Sequence, residues 1–385
     1  MKKLWTISIL SLIFSAGSIG QSSYNINTTG TNSAIDSAIN YTTSIWSQYL
    51  NSAIPIKINV IYTDLTAAGP LAVTFPNGTK DFLGTPEPAV WYATSLANSI
   101  AGSELNPGEF DMDIYVNSSV NYYFGLDGIP EPNQYDFVSV FLHEISHGLG
   151  TGSISKIDAG IGSFGMLDSS STSPLIASFP FPELQGLPSI WDIHLINGSG
   201  QQIADTLLFP NLSSDLGDQF ESNDIFFSGT NATTANGGNQ TKIFAPSVYE
   251  SGSSLQHFDE STFLNASVNS LLTPYFYNNE VEHSPGTILI GTLIDIGWTA
   301  NFVSIDAEKE SFFKIFPNPA RDILNIKNHY DDETTLKLYD LFGRLVLLNK
   351  FSKNLQLDLS NLMPGVYVYT IEAKNKKTTG KIIKQ

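Results

Sequence analysis

The sequence predicts an α+β protein: a domain with a mixed sheet, helices and one active-site helix, followed by a small all-β sandwich. Three observations lead to this prediction. Helical and strand-like periodicities alternate in the first part of the chain, net charge changes sign near residue 305, and short strands replace the helical patterns from Phe312 onward. We therefore expect a leader at residues 1–20, a main domain at 21–304 and a C-terminal sandwich at 305–385.

The first twenty residues have the pattern of a signal peptide. Lys2 and Lys3 give a basic start, residues 4–19 are mostly apolar, and Ser18 and Gly20 are small enough for a signal peptidase. The alternative is a transmembrane anchor, which requires about 20 strongly apolar residues. This run is shorter and is diluted by Ser and Gly, so we expect a signal peptide rather than a membrane span.

Charge separates the two predicted domains. Residues 21–304 contain 4 basic and 27 acidic residues (net −23), whereas residues 305–385 contain 13 basic and 10 acidic residues (net +3). Such a step predicts a domain boundary near residue 305. It also disfavours nucleic acid as a partner of the main domain, because phosphate binding requires a basic face. The chain has no cysteine, so any metal must be held by His, Asp or Glu.

Apolar spacing between the leader and residue 150 predicts the order helix, strand, helix, strand, helix. In Ser33–Tyr49 apolar side chains recur at helical spacing, and in Ile54–Tyr62 they alternate strictly, which predicts a helix and a strand. A Gly- and Pro-rich connection leads to a second helix at about Ala89–Ala101. Asp111–Val116 is predicted to be the second strand.

The third predicted helix contains the clearest chemical motif. It begins after Asp136, a favourable N-cap, and runs to His147 before Gly148 ends it. His143 and His147 are four residues apart and lie on one helix face, with Glu144 beside them. This HExxH pattern is typical of zinc peptidases, in which the histidines bind the ion and the glutamate is the general base. The alternative is a pair of structural histidines on a helix surface.

The rest of the main domain is less regular. Residues 151–254 are rich in Gly, Ser, Asn and Pro, with strand-like segments at Ile190–Ile196 and Ile225–Phe227. A region of this length is unusual for a simple connection, so we expect it to shape a substrate cleft or to form a subdomain. A last helix is predicted at Thr287–Ile296.

A catalytic zinc ion usually has three protein ligands, so a third residue is required. The remaining histidines are His194, His257, His283 and His329. Asp192 and His194 would share one face of a strand and form one candidate pair. His257 precedes an aromatic residue and an acid, His283 could bind substrate or cap the following turn, and His329 lies in the predicted sandwich.

Two further groups are candidates for roles in the main domain. Asp111 and Asp113 could bind calcium, although the chain has neither an EF-hand loop nor a Gly-rich calcium repeat. Tyr275 could stabilise an oxyanion; the alternative is that it is simply packed.

The motif His143–Gly150 resembles the metzincin pattern HExxHxxGxxH, but Ser153 stands at its last position. Three later segments resemble the leishmanolysin-type branch, in which a distant histidine completes the site: His257-Phe258-Asp259, Leu271-Leu272-Thr273-Pro274 and Leu293-Ile294-Asp295-Ile296-Gly297-Trp298. The resemblance covers residues 110–298. It implies a metzincin-like fold, zinc bound by His143, His147 and His257, and Glu144 as general base. Leu272 stands where the family has methionine, and the side chains of Leu and Met are close in volume.

The C-terminal region predicts an antiparallel sandwich. Short strands are expected at Phe312–Phe316, Ile323–Ile326, Thr335–Tyr339, Leu345–Phe351, Leu355–Leu359 and Val366–Ile371. The segments Phe316-Pro317-Asn318-Pro319-Ala320, Leu338–Arg344, Leu359–Tyr367 and Thr379–Lys384 resemble the type A sorting domain of the type IX secretion system. This resemblance implies Sec export followed by type IX secretion, with that machinery as a partner. The alternative is a carbohydrate-binding or adhesive sandwich.

Together these patterns predict a secreted zinc endopeptidase that acts on protein or peptide substrates. The alternative is a surface adhesin or binding protein whose metal site is structural or vestigial. Glu144 separates the two hypotheses, because a purely structural metal site has no need of a general base.

Overall fold

The computed structural model describes residues 20–165, 186–264, 267–300, 313–328, 333–340, 343–373 and 376–385. Residues 1–19 of the predicted leader, the predicted boundary at residue 305 and His329 lie outside these residues. Secondary structure in the described residues is mixed, with more strands than helices, so the predicted α+β class is confirmed.

Six α-helices are described in the main domain: α1 (Ser33–Tyr49), α2 (Thr94–Ala101), α3 (Phe137–Gly148), α4 (Ser214–Phe220), α5 (Thr230–Ala235) and α6 (Gly286–Asp295). Its described strands are β1 (Tyr24–Thr29), β2 (Leu50–Asn51), β3 (Ile56–Thr63), β4 (Ala72–Pro76), β5 (Gly78–Thr79), β6 (Tyr92–Ala93), β7 (Met112–Asn117), β8 (Tyr122–Tyr123), β9 (Tyr135–Asp136), β10 (Ser155–Asp158), β11 (Ile161–Phe164), β12 (Leu195–Asn197), β13 (Ile225–Phe227), β14 (Thr241–Ile243) and β15 (Thr299–Ala300).

A four-stranded mixed sheet with the order β1-β3-β7-β4 organises the first half of the main domain. Strands β1, β3 and β7 are parallel, whereas β4 runs antiparallel to β7 and forms an edge. Ile58, Val60 and Ile114 are fully buried in the core that the sheet shares with the helices. Helix α3 packs against α1 and β4, and the indole Nε1 of Trp46 donates to the carbonyl of Leu142 at 3.3 Å.

The predicted elements of this half are largely confirmed. Helix α1 has the predicted bounds, and α3 begins after its predicted N-cap, Asp136. Helix α2 begins at Thr94 rather than near Ala89, because Tyr92 and Ala93 are extended and pair with β5. Strand β1 was not predicted, since its short sequence is mostly Asn and Thr, yet it pairs with β3 over its whole length.

The region predicted to be irregular contains several short elements. Strands β12, β13 and β14 form a small antiparallel sheet, and β10 and β11 form a hairpin. Strand β13 matches its predicted position. The expected strand at Ile190–Ile196 is wrong in its first part: Asp192–His194 is a 3₁₀ turn, closed by a bond from the Ser189 amide to the Asp192 carboxylate. Asp192 and His194 therefore do not share a strand face.

The C-terminal region forms two packed antiparallel sheets. One has the order β16-β17-β20, from Phe313–Phe316, Ile323–Asn328 and Leu355–Asp358; the other has the order β19-β18-β21-β22, from Leu345–Phe351, Thr334–Tyr339, Gly365–Ala373 and Lys376–Lys384. Leu324, Ile326 and Leu336 are fully buried in their common core. The last strand was missed because, apart from Ile382 and Ile383, its sequence consists of Lys, Thr and Gly. Within the described residues, no helix is long and apolar enough to cross a membrane.

Candidate functional site

Helix α3 is fixed at its N-terminus by a network around Asp136. The Asp136 carboxylate accepts hydrogen bonds from the Ser139 amide at 2.9 Å and the Ser139 hydroxyl at 2.7 Å. The Nε2 atom of His283 lies 2.7 Å from the same carboxylate oxygen. His283, predicted to bind substrate or to cap its own turn, therefore stabilises the start of the helix instead.

The C-terminus of α3 is fixed by residues from distant parts of the chain. The carbonyl of Gly148 accepts a bond from the Ser95 hydroxyl at 2.7 Å, and the carbonyl of Leu149 accepts one from the indole of Trp298 at 2.8 Å. Asp295 in the same Asp-Ile-Gly-Trp segment accepts bonds from the amides at the start of α5. The segment thus anchors two helices, which gives a structural reason for its residue types.

Three of the predicted site residues come together at the C-terminal half of α3. The Nε2 atom of His143 lies 3.0 Å from Nε2 of His147 and 3.2 Å from Nε2 of His257. In the described part of the chain, these histidines are the only group of three or more His, Asp or Glu side chains arranged to hold one metal ion. His257, which follows His143 by 114 positions in the sequence, is therefore next to it in space.

Each histidine ring is oriented by a backbone carbonyl. The Nδ1 atoms of His143, His147 and His257 lie 2.7, 2.9 and 2.8 Å from the carbonyl oxygens of Leu271, Thr151 and Ser253, respectively. A carbonyl can only accept, so each neutral ring carries its proton on Nδ1. Every Nε2 atom then presents a lone pair, and the three lone pairs face one another without a proton between them.

Burial keeps these rings neutral. It lowers the pKa of His147 to about 3, and the neighbouring His143 ring contributes to the same shift. Burial also lowers the pKa of His143 and, by more, that of His257. Neutral imidazole is the form that binds a metal ion, because the protonated ring has no free lone pair.

Glu144 lies beside the histidine cluster and is 6 % exposed. Its Oε2 atom accepts a hydrogen bond from the hydroxyl of Thr74 on β4 at 2.7 Å. Burial raises the pKa of Glu144 to about 7, and the Thr74 bond opposes that shift. A carboxyl group with such a pKa can both accept and release a proton near neutral pH.

These side chains line a cleft of about 880 Å³. Its lining includes the edge strand β4 and residues 150–156, 251–253, 256–257 and 273–277. Tyr275 in this lining is 39 % exposed, and its hydroxyl donates to the Glu250 carboxylate at 2.8 and 3.0 Å. Tyr275 is therefore not fully packed, and its hydroxyl is bound to Glu250.

The other proposed third ligands are not in the cluster. The Asp192 carboxylate is fully buried and accepts bonds from the amide and hydroxyl of Ser189, both at 2.8 Å. The His194 ring stacks on Phe227 with 5.0 Å between centroids. Ser153, at the position of the third histidine in the shorter metzincin pattern, is buried in the cleft wall. Of the three proposed third ligands, Asp192, His194 and His257, only His257 lies next to the HExxH histidines.

The turn that contains Leu272 contacts the histidine segments through its backbone carbonyls. The Leu271 carbonyl orients His143, and the Leu272 carbonyl accepts from the amide of Phe258, next to His257, at 2.8 Å. The Leu272 side chain is fully buried. Both contacts are made by backbone carbonyls and do not involve the Leu272 side chain.

Sequence reasoning missed Thr74, Thr151 and Ser253, and no local pattern distinguishes them from the many other hydroxyl residues.

The carboxylates of the two suggested calcium ligands accept hydrogen bonds from neighbouring residues. Asp111 accepts from the Lys57 amide at 2.8 Å and the Asn98 side chain at 3.0 Å, and Asp113 accepts from Asn59 at 2.7 Å. Calcium binding at Asp111 and Asp113 stays a prediction.

Comparison with known proteins gives a clear result for the C-terminal region. Residues 314–385 match the family model described as a secretion system C-terminal sorting domain. This match supports the resemblance to type IX sorting domains, and by it the protein is exported by that system to the cell surface or into the medium.

The remaining comparisons are less informative. No curated protein sequence matches the chain. Among solved structures, a Bacteroides vulgatus protein with an immunoglobulin-like β-sandwich fold matches 19 % of this chain and 84 % of its own, with 21 % identity and a TM-score of 0.18.

Proposed function

We propose that residues 21–304 form a zinc-dependent endopeptidase of the leishmanolysin-like metzincin type. The observation that carries this proposal is the convergence of three Nε2 lone pairs from His143, His147 and His257 in a buried cluster. Lone pairs this close repel one another unless a cation lies between them. Burial disfavours a proton in that role, because it lowers the pKa of all three rings.

The donor set fits zinc. Imidazole nitrogen is a common zinc ligand at about 2.0–2.1 Å, and in a tetrahedral site this places ligand nitrogens about 3.3–3.4 Å apart. The two separations from His143, 3.0 and 3.2 Å, are close to that value. The carbonyl partners of the Nδ1 atoms supply the orienting contacts that zinc-bound histidines usually have. Zinc bound here would act as a Lewis acid toward a peptide carbonyl and make a water molecule easier to deprotonate.

Glu144 is the residue that would move the proton. Its Oε2 atom is held by Thr74, which leaves Oε1 to accept the proton of the attacking water. The same carboxyl group then donates the proton to the leaving amine. A pKa of about 7 suits both steps, since neither form is strongly favoured at neutral pH.

Strand β4 supports a peptide as the substrate. It lines the cleft and is an edge of the mixed sheet, paired only with β7 in the described sheet. The unpaired edge of a strand can form main-chain hydrogen bonds with an extended peptide. A peptide bound this way would pass over the histidine cluster and Glu144.

The alternative hypothesis, an adhesin with a structural metal site, is less well supported by the geometry. A structural zinc site is closed by four protein ligands, whereas three histidines line an open cleft in this chain, with a carboxyl group beside them. Export to the cell surface or medium is compatible with both hypotheses.

Hydrolysis of casein by the purified protein, with and without a chelator, tests the proposal. We expect activity that the chelator removes and zinc restores, and that Glu144→Gln abolishes while zinc remains bound. Asp158→Asn is a matched control, because Asp158 is an exposed acid outside the cleft lining. Chelator-insensitive hydrolysis would contradict the zinc-dependent mechanism, and no hydrolysis by a zinc-loaded wild-type protein would favour the adhesin hypothesis.

A further inference from the structure

The face of β4 that is directed toward helix α3 contains an unexpected polar group. Side chains alternate along a strand, so Ala72 and Thr74 share one face, while Phe75 is on the other and packs edge-on against Tyr115 with 5.9 Å between centroids. Ala72 is buried, and β4 packs against α3. Thr74 thus places a hydroxyl at a position where an apolar side chain of the same size would fit.

The partner of that hydroxyl is the Glu144 carboxylate. The Thr74 Oγ1 atom donates to Oε2 at 2.7 Å, which is typical of a strong bond between a hydroxyl and a carboxylate. Among the residues that the structure describes, this is the only hydrogen bond of the Glu144 side chain. The two residues are 70 positions apart, so this contact exists only because the edge strand and the helix are packed together.

We infer that Thr74 is a positioning residue, whose hydroxyl fixes the Glu144 carboxylate so that one oxygen, Oε1, is directed to the reacting groups. This inference rests on the proposed peptidase function. A buried carboxylate without this bond can rotate about its last torsion, because such torsions are broad and roughly two-fold. The productive orientation would then be populated for only part of the time.

The same contact links the cleft wall to the reacting carboxyl group. Strand β4 lines the cleft, and its Thr74 donates the hydrogen bond to Glu144. A peptide that pairs with β4 would therefore also affect the position of Thr74. Substrate binding and the orientation of the general base therefore depend on one structural element.

Replacing Thr74 tests the inference in the full-length, zinc-loaded protein. We expect Thr74→Val, which removes the hydroxyl at nearly constant volume, to lower kcat by about tenfold to a hundredfold with little change in KM or in bound zinc. Thr74→Ser, which keeps the hydroxyl, should recover most of the loss. Thr63→Val on strand β3, which β7 separates from β4 in the same sheet, is the matched control, since Thr63 is outside the cleft.

A second readout is independent of catalysis. The infrared band of the Glu144 carboxylate can be isolated in protein with ¹³C-labelled glutamate as the difference from Glu144→Gln. We expect this band to shift in Thr74→Val and to return toward its wild-type position in Thr74→Ser. Should Thr74→Val not fold, Thr74→Ala takes its place in both measurements.

The outcomes separate the two proposals. An unshifted band, an unchanged kcat in an active protein, or loss of zinc in Thr74→Val would overturn the positioning role. A wild-type protein that binds zinc but hydrolyses nothing would refute the peptidase function; the infrared shift would still establish the contact with Glu144.

Discussion

Removing His257 is the most direct test of the proposed metal centre. In the structure His257 supplies one of the three converging nitrogens, 3.2 Å from that of His143, and is 5 % exposed. Alanine at this position deletes the ring and leaves the helix with its two own histidines. Because His257 is remote from α3 in sequence, the substitution leaves the HExxH motif unchanged.

The expected loss follows from the number of ligands. Zinc binding by four-ligand zinc-finger peptides provides about 10–16 kcal/mol, or about 3 kcal/mol for each ligand. Losing one ligand of that strength weakens binding by about 150-fold. We therefore expect His257→Ala to lose zinc during dialysis against a chelator concentration that leaves the wild-type protein fully loaded.

The assay is metal analysis after dialysis, together with chelator competition to obtain the affinity. His194→Ala and Asp192→Asn are the matched controls, because they were the alternative ligands and neither contacts the cluster. Both should keep one zinc ion per chain. Stoichiometric zinc in His257→Ala, or its loss in His194→Ala with a folded protein, would show that the third ligand is misassigned.

Three further predictions concern stability and export. The pKa of His147 is lowered by burial to about 3, below its unfolded value of about 6.5, so the unfolded metal-free chain binds more protons between these values. Urea unfolding of the metal-free protein should therefore show stability falling as pH decreases from about 6.5 toward 3, and falling less in His147→Asn. Trp298→Phe should lower stability by about 1–2 kcal/mol in thermal unfolding while zinc stays bound, because it removes the indole donor to the Leu149 carbonyl. Deleting residues 305–385 should retain the protein in the periplasm, as judged by immunoblots of cell fractions and medium, and unchanged release would contradict the sorting role.

Sequence patterns predicted best the elements whose apolar side chains face one core. Helix α1 and helix α3 have strong periodicity and good N-caps, Asn32 and Asp136, and both lie where they were predicted. Strands β1 and β22 were missed because their sequences are polar. Their place in the sheets is determined by pairing with a neighbour, which a local pattern does not contain.

The candidate site divides in the same way. His143, Glu144 and His147 were identified from one helical spacing, since a helix places residues four apart on one face. The position of His257 could be predicted only through the resemblance, because the 3.2 Å contact depends on how the chain between residues 151 and 254 folds. Thr74 was invisible to both approaches, as one threonine on a short strand has no pattern of its own.

The distance along the chain between His143 and His257 has a consequence for when the centre can form. A metal ion held by both residues would close a loop of 114 residues, and the carbonyl that orients His143 lies further on, at Leu271. The helix with its two histidines can fold early, but the complete centre exists only after the later segments have docked. If a metal ion binds here, coordination by His257 would report that the main domain has finished folding. A chain cut or misfolded within the loop would keep the HExxH motif without the third histidine beside it.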